Sequence, residues 1–504
     1  MTFSSNNNYV AGFKALIAAL EPRYTLPSDS HFRKTVIPEL YESLCVKLQA
    51  VLDKPKFLSF TTDAWTTAQC TDSLLSITAH WIDNDWQRQS AIVGACHMEG
   101  SHTGANIATL ITTELKKWSI ITAATNTTTA TSRVHVFLRD NGKNMVTGLR
   151  DAGVLSLSCL SHTFQLSVNR GLKSQRAVMD LTAIGRSIVG HFSHSVKAKD
   201  KLKEIQSTIP NMPAHNLLQD VSTRWNSTYY MLERLVEQKK SLVLYAADTT
   251  IDLPTNAQWT LMERVVALLA PIERATRDVS ADSSCVSDVI PMVIGVKRAL
   301  AMVTDDSGVQ TMKKEIIDDI TSRFDDINTQ PLYVVATMVD PRYRGRLFQP
   351  ADLAVATGWL TDEAERCPPP PPATETSTPV QSSSEPPAKR QRTEVRSPLD
   401  LLDDVLQASD ESDDELTAAG EVAKYLRETN IPRTDCPLAW WKINSSTYPR
   451  LSQVAKRFLS APSTSVPSER LFSSAGDLYS DTRNRLAPER AEMLLFIKKN
   501  ISLL

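Results

Sequence analysis

The spacing of hydrophobic residues along this chain changes twice. Before residue 54, apolar residues recur at helical intervals and predict helices, one of them over Ile37–Leu52. Three apolar runs follow, joined by short polar stretches. In the second run, Leu75, Ile77, Ala79 and Trp81 alternate with polar residues, which is typical of a strand. The three runs therefore predict three strands, over residues 56–62, 73–82 and 86–98.

After these strands, helical and strand patterns alternate. The pattern predicts a helix over 104–118, a Thr-rich loop over 123–132, a strand over 133–138, a helix over 141–152, a strand over 154–159 and helices from residue 163. The predicted order is β-β-β-α-β-α-β-α. Short turns between the first three strands indicate antiparallel pairing, and intervening helices indicate parallel additions. This order matches an α/β ribonuclease-H-like core, in which carboxylates lie at the ends of the first and fourth strands. Asp63 and Asp140 occupy those two positions.

Composition divides the remainder of the chain. Residues 226–366 carry apolar residues at helical spacing, which predicts a large all-α insertion in the core. Residues 368–398 hold nine of the 27 prolines and precede an acidic run, so a disordered linker is predicted. The predicted regions are an N-terminal helical region over 1–55, the first part of the core over 56–225, the insertion over 226–366, the linker over 367–417 and a second ordered region over 418–504.

Overall composition excludes several classes of protein. The net charge of −2 argues against coating of nucleic acid by the whole surface, so any such contact needs a local basic face. The seven cysteines are scattered and form no Cys-x-x-Cys pair, which argues against a disulfide framework and a structural zinc site. Residues 1–8 are polar, and no run has the roughly 18 apolar residues that span a bilayer. We therefore expect an intracellular protein with no membrane partner.

Three carboxylates are candidates for chemistry: Asp63, Asp140 and Glu469. Two-metal phosphoryl transfer needs acidic oxygens that converge on ions about 3.5–4 Å apart, and Mg²⁺ prefers oxygen ligands. Each residue also has a purely structural explanation, as a turn residue after a strand for Asp63, a helix N-cap for Asp140 and a favourable first-turn charge for Glu469. If the fold brings the three together, they form a split metal-dependent nuclease site. If it does not, the C-terminal run is a packed helical unit.

Several short motifs occur in a fixed order along the chain and together resemble the hAT transposase superfamily. They are Thr62-Asp63-Ala64-Trp65-Thr66, Asp140-Asn141 with Asn144-Met145, Cys159-Leu160-Ser161-His162, Arg224-Trp225-Asn226-Ser227, Ser468-Glu469-Arg470-Leu471-Phe472-Ser473 and Arg483-Asn484-Arg485-Leu486. The chain most resembles the domesticated zinc-finger BED domain-containing proteins. The Cys and His spacing of a BED finger does not occur before residue 45, so we expect a chain that lacks the finger.

The resemblance implies a catalytic triad that also binds the metal, formed by Asp63, Asp140 and Glu469 with Mg²⁺ or Mn²⁺ if the protein is active. Arg139, beside Asp140, is a cation that competes for the carboxylate unless it points to the other face. The resemblance also implies nucleic-acid contacts, with a tryptophan that handles a flipped base. The residues expected to make these contacts are Trp225, Arg224, His162, Arg483 and Arg485. Trp225 is equally explained as a core residue, and Cys159 with His162 as a buried strand end, since two ligands are too few for zinc.

The resemblance further implies that residues 418–504 complete the core and form a dimerisation region. Leu471, Phe472, Leu494 and Leu495 lie in an apolar stripe and are the predicted dimer contacts; an amphipathic helical pair with a solvated basic face is the alternative. The partner is then a second copy, as a homodimer or higher oligomer. Within the predicted linker, Lys389, Arg390 and Arg392 fit a nuclear import signal, although short basic runs are frequent.

Three functions remain open from the sequence. The first is a nuclear, dimeric, transposase-derived protein in a regulatory role, which associates with DNA or chromatin and has other nuclear proteins as candidate partners. The second is an active DNA transposase or nuclease that uses the three carboxylates. The third is a non-enzymatic interaction scaffold.

Overall fold

The computed structural model describes residues 7–66, 73–122, 131–368, 417–478 and 487–503. The helices are α1 Asn7–Leu20, α2 Asp29–His31, α3 Ile37–Leu52, α4 Gly104–Lys117, α5 Lys143–Asp151, α6 Leu160–Lys173, α7 Arg176–Ser193, α8 Val196–Thr208, α9 Trp225–Glu237, α10 Lys239–Ala247, α11 Asn256–Val279, α12 Val289–Met302, α13 Gln310–Arg323, α14 Pro331–Met338, α15 Pro350–Glu365, α16 Ala418–Arg427, α17 Pro437–Asn444, α18 Pro449–Phe458, α19 Val466–Leu478 and α20 Pro488–Asn500. The strands are β1 Leu58–Thr66, β2 Ser73–Ile82, β3 Arg88–His97, β4 Ile121–Thr122, β5 Thr131–Ser132, β6 Val134–Arg139 and β7 Ser156–Ser158.

The chain divides into two compact units. Residues 1–337 and 456–504 form the first unit, so the C-terminal part of the chain belongs to the same unit as the sheet. Residues 338–455 form the second unit. Within the second unit, Tyr425 stacks on Trp441, and the indole nitrogen of Trp441 donates a hydrogen bond to the Val339 carbonyl at 3.0 Å.

The main sheet of the first unit has five strands in the order β3-β2-β1-β6-β7. β1 pairs antiparallel with β2, and β2 with β3, whereas β1–β6 and β6–β7 are parallel. Thr61 of β1 is in register with Leu138 of β6. Both strands run in the same direction. Asp63 and Asp140, which follow Thr61 and Leu138 by two residues each, therefore lie at the same level of the sheet.

Two apolar clusters cover the sheet, one on each face. The larger joins α3 and α4 to the strands through residues such as Leu48, Ile77 and Ile111. The smaller places α19 and α20 on β2 and β3, with Leu471 and Leu495 against Leu74. Among the described residues, none of the helices is both long and apolar enough to cross a membrane.

The observed strands differ from the predicted ones in two places, and one helix differs in its start. The first strand continues past Thr62 to Thr66, because Asp63–Thr66 pair with Ser73–Ser76 of β2, so Asp63 lies within the strand. Part of the predicted Thr-rich loop, Thr131–Ser132, pairs with Ile121–Thr122 as a two-strand ribbon. The helix after Asp140 begins at Lys143, with Gly142 as its N-cap. The predicted domain boundaries remain predictions.

Candidate active site

Asp63 lies within β1 at the level of Asp140, which directly follows β6. The register between these strands makes them neighbours on adjacent parallel strands. Both side chains are partly buried. Asp63 Oδ1 accepts a hydrogen bond from the Ala64 N–H at 2.9 Å, and Asp140 Oδ1 accepts one from the Gly142 N–H at 3.1 Å. These bonds fix both carboxylates at the sheet edge.

Glu469 reaches the same region through a return segment, which we define as residues 459–468. Ser460 Oγ lies 2.7 Å from Ser59 Oγ on β1. Ser468 Oγ donates to Thr61 Oγ1 at 2.9 Å, across a separation of 407 residues in sequence. Since both serines are buried, the segment is anchored along β1. Glu469 is the next residue and lies in the first turn of α19, with its side chain exposed.

A second set of hydrogen bonds ties the return segment to the start of α6. The Leu160 N–H donates to the Ser463 carbonyl at 3.2 Å, and the Ser465 N–H donates to Cys159 Sγ at 3.3 Å. Cys159 is fully buried, and burial raises the pKa of its thiol. Cys159 of the Cys-x-x-His motif therefore contacts the loop that carries Glu469. His162 is half-buried on α6.

The charges of Asp140 and Glu469 act on Asp63. The pKa of Asp63 is raised from 3.8 to about 7, chiefly by burial and next by the negative charge of Asp140. The hydrogen bond from Ala64 opposes this rise, and the charge of Glu469 adds to it. The fold thus brings together all three residues singled out from the sequence closely enough for their charges to interact.

The competing cation Arg139 points away from the carboxylates. Its guanidinium donates to Ser156 Oγ at 3.3 Å, to Ser158 Oγ at 3.2 Å and to the main-chain carbonyl of Asp140 at 2.8 Å. Neighbouring strand residues face opposite sides of a sheet, so Arg139 braces β7 while Asp140 faces the site.

Crowded, partly buried carboxylates are the chemistry that suits a hard divalent cation, which favours their ionised form. Gly142 also leaves room at this point, since a Cβ there would lie 3.2 Å from Asp140 Oδ1. Within the described residues, however, no group of three His, Cys, Asp or Glu side chains is arranged to hold one ion together. The arrangement is a carboxylate pair with a third, more exposed carboxylate near it.

Trp225, which was predicted to contact a base, is buried in the structure. Its side chain is only 1% exposed and packs edge-on against Tyr229 at a centroid distance of 6.4 Å. This burial favours the core interpretation of Trp225, and a base contact stays a prediction. Arg224, by contrast, is exposed at the N-terminus of α9. Arg483 and Arg485 lie outside the described residues, as do Lys389, Arg390 and Arg392.

The predicted dimer contacts are also placed inside the chain. Leu471, Phe472 and Leu495 are buried against β2 and β3, and Leu494 is partly buried against the same cluster. Phe472 stacks on Trp65 at a centroid distance of 5.9 Å, which joins two of the sequence motifs directly. Leu471, Phe472 and Leu495 therefore contribute to the core of the first unit, and the role of these four residues in a dimer stays a prediction.

Sequence reasoning missed the residues that position the site. The serines at 460, 463, 465 and 468 are buried and carry the return segment, and their only signal was a Ser- and Pro-rich run before Glu469. Asn500 was missed entirely. Its side chain accepts a hydrogen bond from the Ile92 N–H at 3.2 Å and donates one to the Ile92 carbonyl at 2.9 Å, which satisfies the edge of β3.

Comparison with known proteins agrees with this architecture. Residues 61–146 match the ZBED1 RNase-like domain, residues 157–268 match the ZBED1 RNase-like helical domain, and residues 421–501 match the hAT family C-terminal dimerisation region. The class is therefore that of proteins with an RNase-like core and a hAT dimerisation region, and the match to that region supports self-association.

Individual relatives extend the match along nearly the whole chain. Zinc finger BED domain-containing protein 4 of Homo sapiens is 30% identical over 512 residues, which is 98% of this chain and 42% of that protein. Zinc finger BED domain-containing protein 6 of Homo sapiens is 26% identical over 97% of this chain and 53% of that protein. A putative AC transposase of Zea mays is 26% identical over 96% of this chain and 62% of that protein. The chain belongs to the hAT-family transposase-like proteins, and it spans about half the length of these relatives.

Proposed function

We propose that this chain is a transposase-derived nuclear protein that self-associates, associates with DNA or chromatin and acts in regulation. The observation that carries this proposal is the match of residues 421–501 to the hAT dimerisation region. Other nuclear proteins are further candidate partners.

The surface for a second copy lies, in this proposal, on the part of the matched region that is not in the core. Ile443 of α17 is a large apolar side chain that is 79% exposed. Light scattering of the full chain at micromolar concentration is expected to give a dimer mass, and Ile443→Glu is expected to weaken the dimer. Leu471→Ala is the contrasting variant, since it removes a fully buried contact and is expected to lower stability before it affects mass. A monomeric wild-type chain would refute self-association.

DNA association is tested with fluorescently labelled duplex DNA and the purified chain. We expect binding that weakens as salt rises, because phosphate contacts release counterions. Binding that is undetectable at low salt would instead leave the scaffold function. Nuclear import is tested separately: replacement of Lys389, Arg390 and Arg392 by alanine is expected to reduce the nuclear signal, and unchanged import would remove that motif from the proposal.

A second candidate function, metal-dependent phosphoryl transfer on DNA, is favoured by one specific observation. The charges of Asp140 and Glu469 both contribute to the raised pKa of Asp63, so the three acids lie in one electrostatic field. In this candidate the three residues hold Mg²⁺ or Mn²⁺, and the metal supplies charge stabilisation for phosphoryl transfer. Nicking of supercoiled DNA by the wild-type chain, lost in Asp140→Asn, would support it. No nicking with either metal, in a folded protein, would sink it.

A further inference from the structure

A polar cleft lies over the β2–β3 part of the sheet, and Asp63, Asp140 and Glu469 are not among the residues that line it. Its volume is about 380 Å³, within the size range of small-ligand sites. Thr78 and His80 on β2 and Arg88 and Ser90 on β3 line its sheet side, and His80 is paired in register with Ser90. The return segment, the residues after α11, Arg470 of α19 and Lys499 of α20 also line it. A sheet face under helices is ordinarily apolar, so this polar floor needs another explanation.

Two polar atoms of the floor are buried without a hydrogen-bond partner in the described part of the chain. They are Thr78 Oγ1 and Arg88 Nη2. Thr78 is only 4% exposed. Arg88 is anchored through its other terminal nitrogen, which donates to the Leu459 carbonyl at 2.7 Å. Buried donors are almost always satisfied in folded proteins, so two unsatisfied donors that line one cleft point to a ligand with acceptor oxygens.

The rim of the cleft adds positive charge. Lys499 Nζ donates to the main-chain carbonyl of Arg470 at 3.2 Å, so the two cations are neighbours. Burial lowers the pKa of Lys499, and the charges of Lys498 and Arg470 lower it further. A bound anion would reduce the repulsion between these like charges. Asp282, which pairs with Arg470, is the acidic residue of the cleft and is 83% exposed, so water screens its charge.

His80 does not add a charge to the floor. Burial, and next the neighbouring Arg88, lower its pKa to about 3, so its ring is neutral near pH 7. Its Nε2 lies 3.1 Å from Thr61 Oγ1, the hydroxyl that also accepts from Ser468 of the return segment. The paired Asn500 amide on Ile92 fixes the end of α20 and thereby the position of Lys499.

We propose that this cleft is a phosphate-binding site in which Thr78 and Arg88 donate to phosphate oxygens from the floor while Arg470 and Lys499 supply charge from the rim. Phosphate suits the site better than a carboxylate because it offers more acceptor oxygens and more charge. The phosphate comes either from a DNA backbone, in which case the site rests on the proposed DNA association, or from a free phosphate compound.

Isothermal titration calorimetry of the full chain with inorganic pyrophosphate tests the site. We expect saturable binding by the wild type, about tenfold weaker binding by Thr78→Val and by Lys499→Gln, and no change for the control Lys116→Gln, an exposed lysine on α4. Thr78→Val has a second signature: without ligand it is expected to be at least as stable to urea as the wild type, because it removes an unsatisfied buried hydroxyl. Wild-type affinity in both cleft variants, or no binding by the wild type, would overturn the proposal.

Duplex DNA in a salt series separates the two sources of phosphate. If the cleft takes a backbone phosphate, Lys499→Gln lowers the slope of log affinity against log salt by about one, and Lys116→Gln leaves it unchanged. Pyrophosphate binding that depends on Thr78, with DNA binding unaffected, assigns the site to a free phosphate compound. A wild-type chain that binds pyrophosphate and no DNA refutes the proposed DNA association and leaves the phosphate site standing.

Discussion

Replacement of Asp63 by asparagine is expected to change the pH dependence of stability in a defined direction. The pKa of this carboxyl is about 7 in the folded chain and 3.8 in its ordinary state. A raised folded-state pKa means that the folded chain holds the proton more tightly than the unfolded chain does. The stability that this group contributes is therefore fully present below about pH 4, falls as pH rises and is lost once pH exceeds about 7.

The magnitude follows from the two pKa values. Each pKa unit corresponds to about 1.4 kcal/mol, so a rise from 3.8 to about 7 corresponds to about 4 kcal/mol lost between pH 4 and pH 8. The Asp63→Asn variant has no such titration, and the amide oxygen that it introduces can still accept from the Ala64 N–H. The variant is thus expected to gain stability relative to wild type by an amount of order a few kcal/mol as pH rises across this range.

The assay is urea unfolding followed by tryptophan fluorescence at pH 4 to 8, at constant ionic strength and with chelator present. The difference in the free energy of unfolding between the two chains is the quantity of interest, since titrations elsewhere cancel. Asp140→Asn is the matched control: it removes the neighbouring charge and is expected to lower the pKa of Asp63 and shrink the effect. A difference that stays constant across this pH range would refute the reasoning.

Three further variants test the packing. Asn500→Leu is expected to cost about 1–3 kcal/mol, because it leaves both main-chain groups of Ile92 at the edge of β3 unsatisfied; urea unfolding measures this loss. Gly171→Ala would place a Cβ against Ile316 Cγ1, so a loss of about 1–3 kcal/mol is expected, and when it is combined with Ile316→Ala, which removes that atom, the two losses should be less than additive. Trp225→Leu is expected to lower the thermal midpoint while DNA affinity per folded molecule stays unchanged; a selective loss of affinity would support the base-contact hypothesis.

The sheet was predictable because its hydrophobic spacing is strong and local. Asp63 and Asp140 were found from the predicted ends of two such strands, and the parallel register brings them to the same level although β1 continues to Thr66. Glu469 was different, because nothing in local spacing says that a residue far along the chain returns to β1. The motif resemblance supplied the predicted position of Glu469. In the structure, buried serine hydroxyls hold the preceding segment against β1, and sequence periodicity does not detect such contacts.

The predicted base contact and dimer contacts differ from surface residues in their burial. Trp225 and the apolar residues of α19 and α20 were predicted to be surfaces for a base or a partner, yet they fill the first unit. An amphipathic stripe shows that one helix face is covered and does not show whether the same chain or a second copy covers it. The orphan polar atoms at Thr78 and Arg88 were likewise out of reach, since they depend on what three distant segments leave open.

The placement of residues 456–504 in the first unit has a consequence for protein synthesis. When the first 337 residues have been synthesised, Leu74 and Ile92 of the sheet are not yet covered, because α19 and α20 come later in the chain. Through most of translation this apolar face is open to chaperones and to neighbouring nascent chains. A premature stop codon before the return segment would therefore remove the cover of the sheet as well as Glu469, and such transcripts would yield aggregation-prone polypeptides instead of shortened, folded ones.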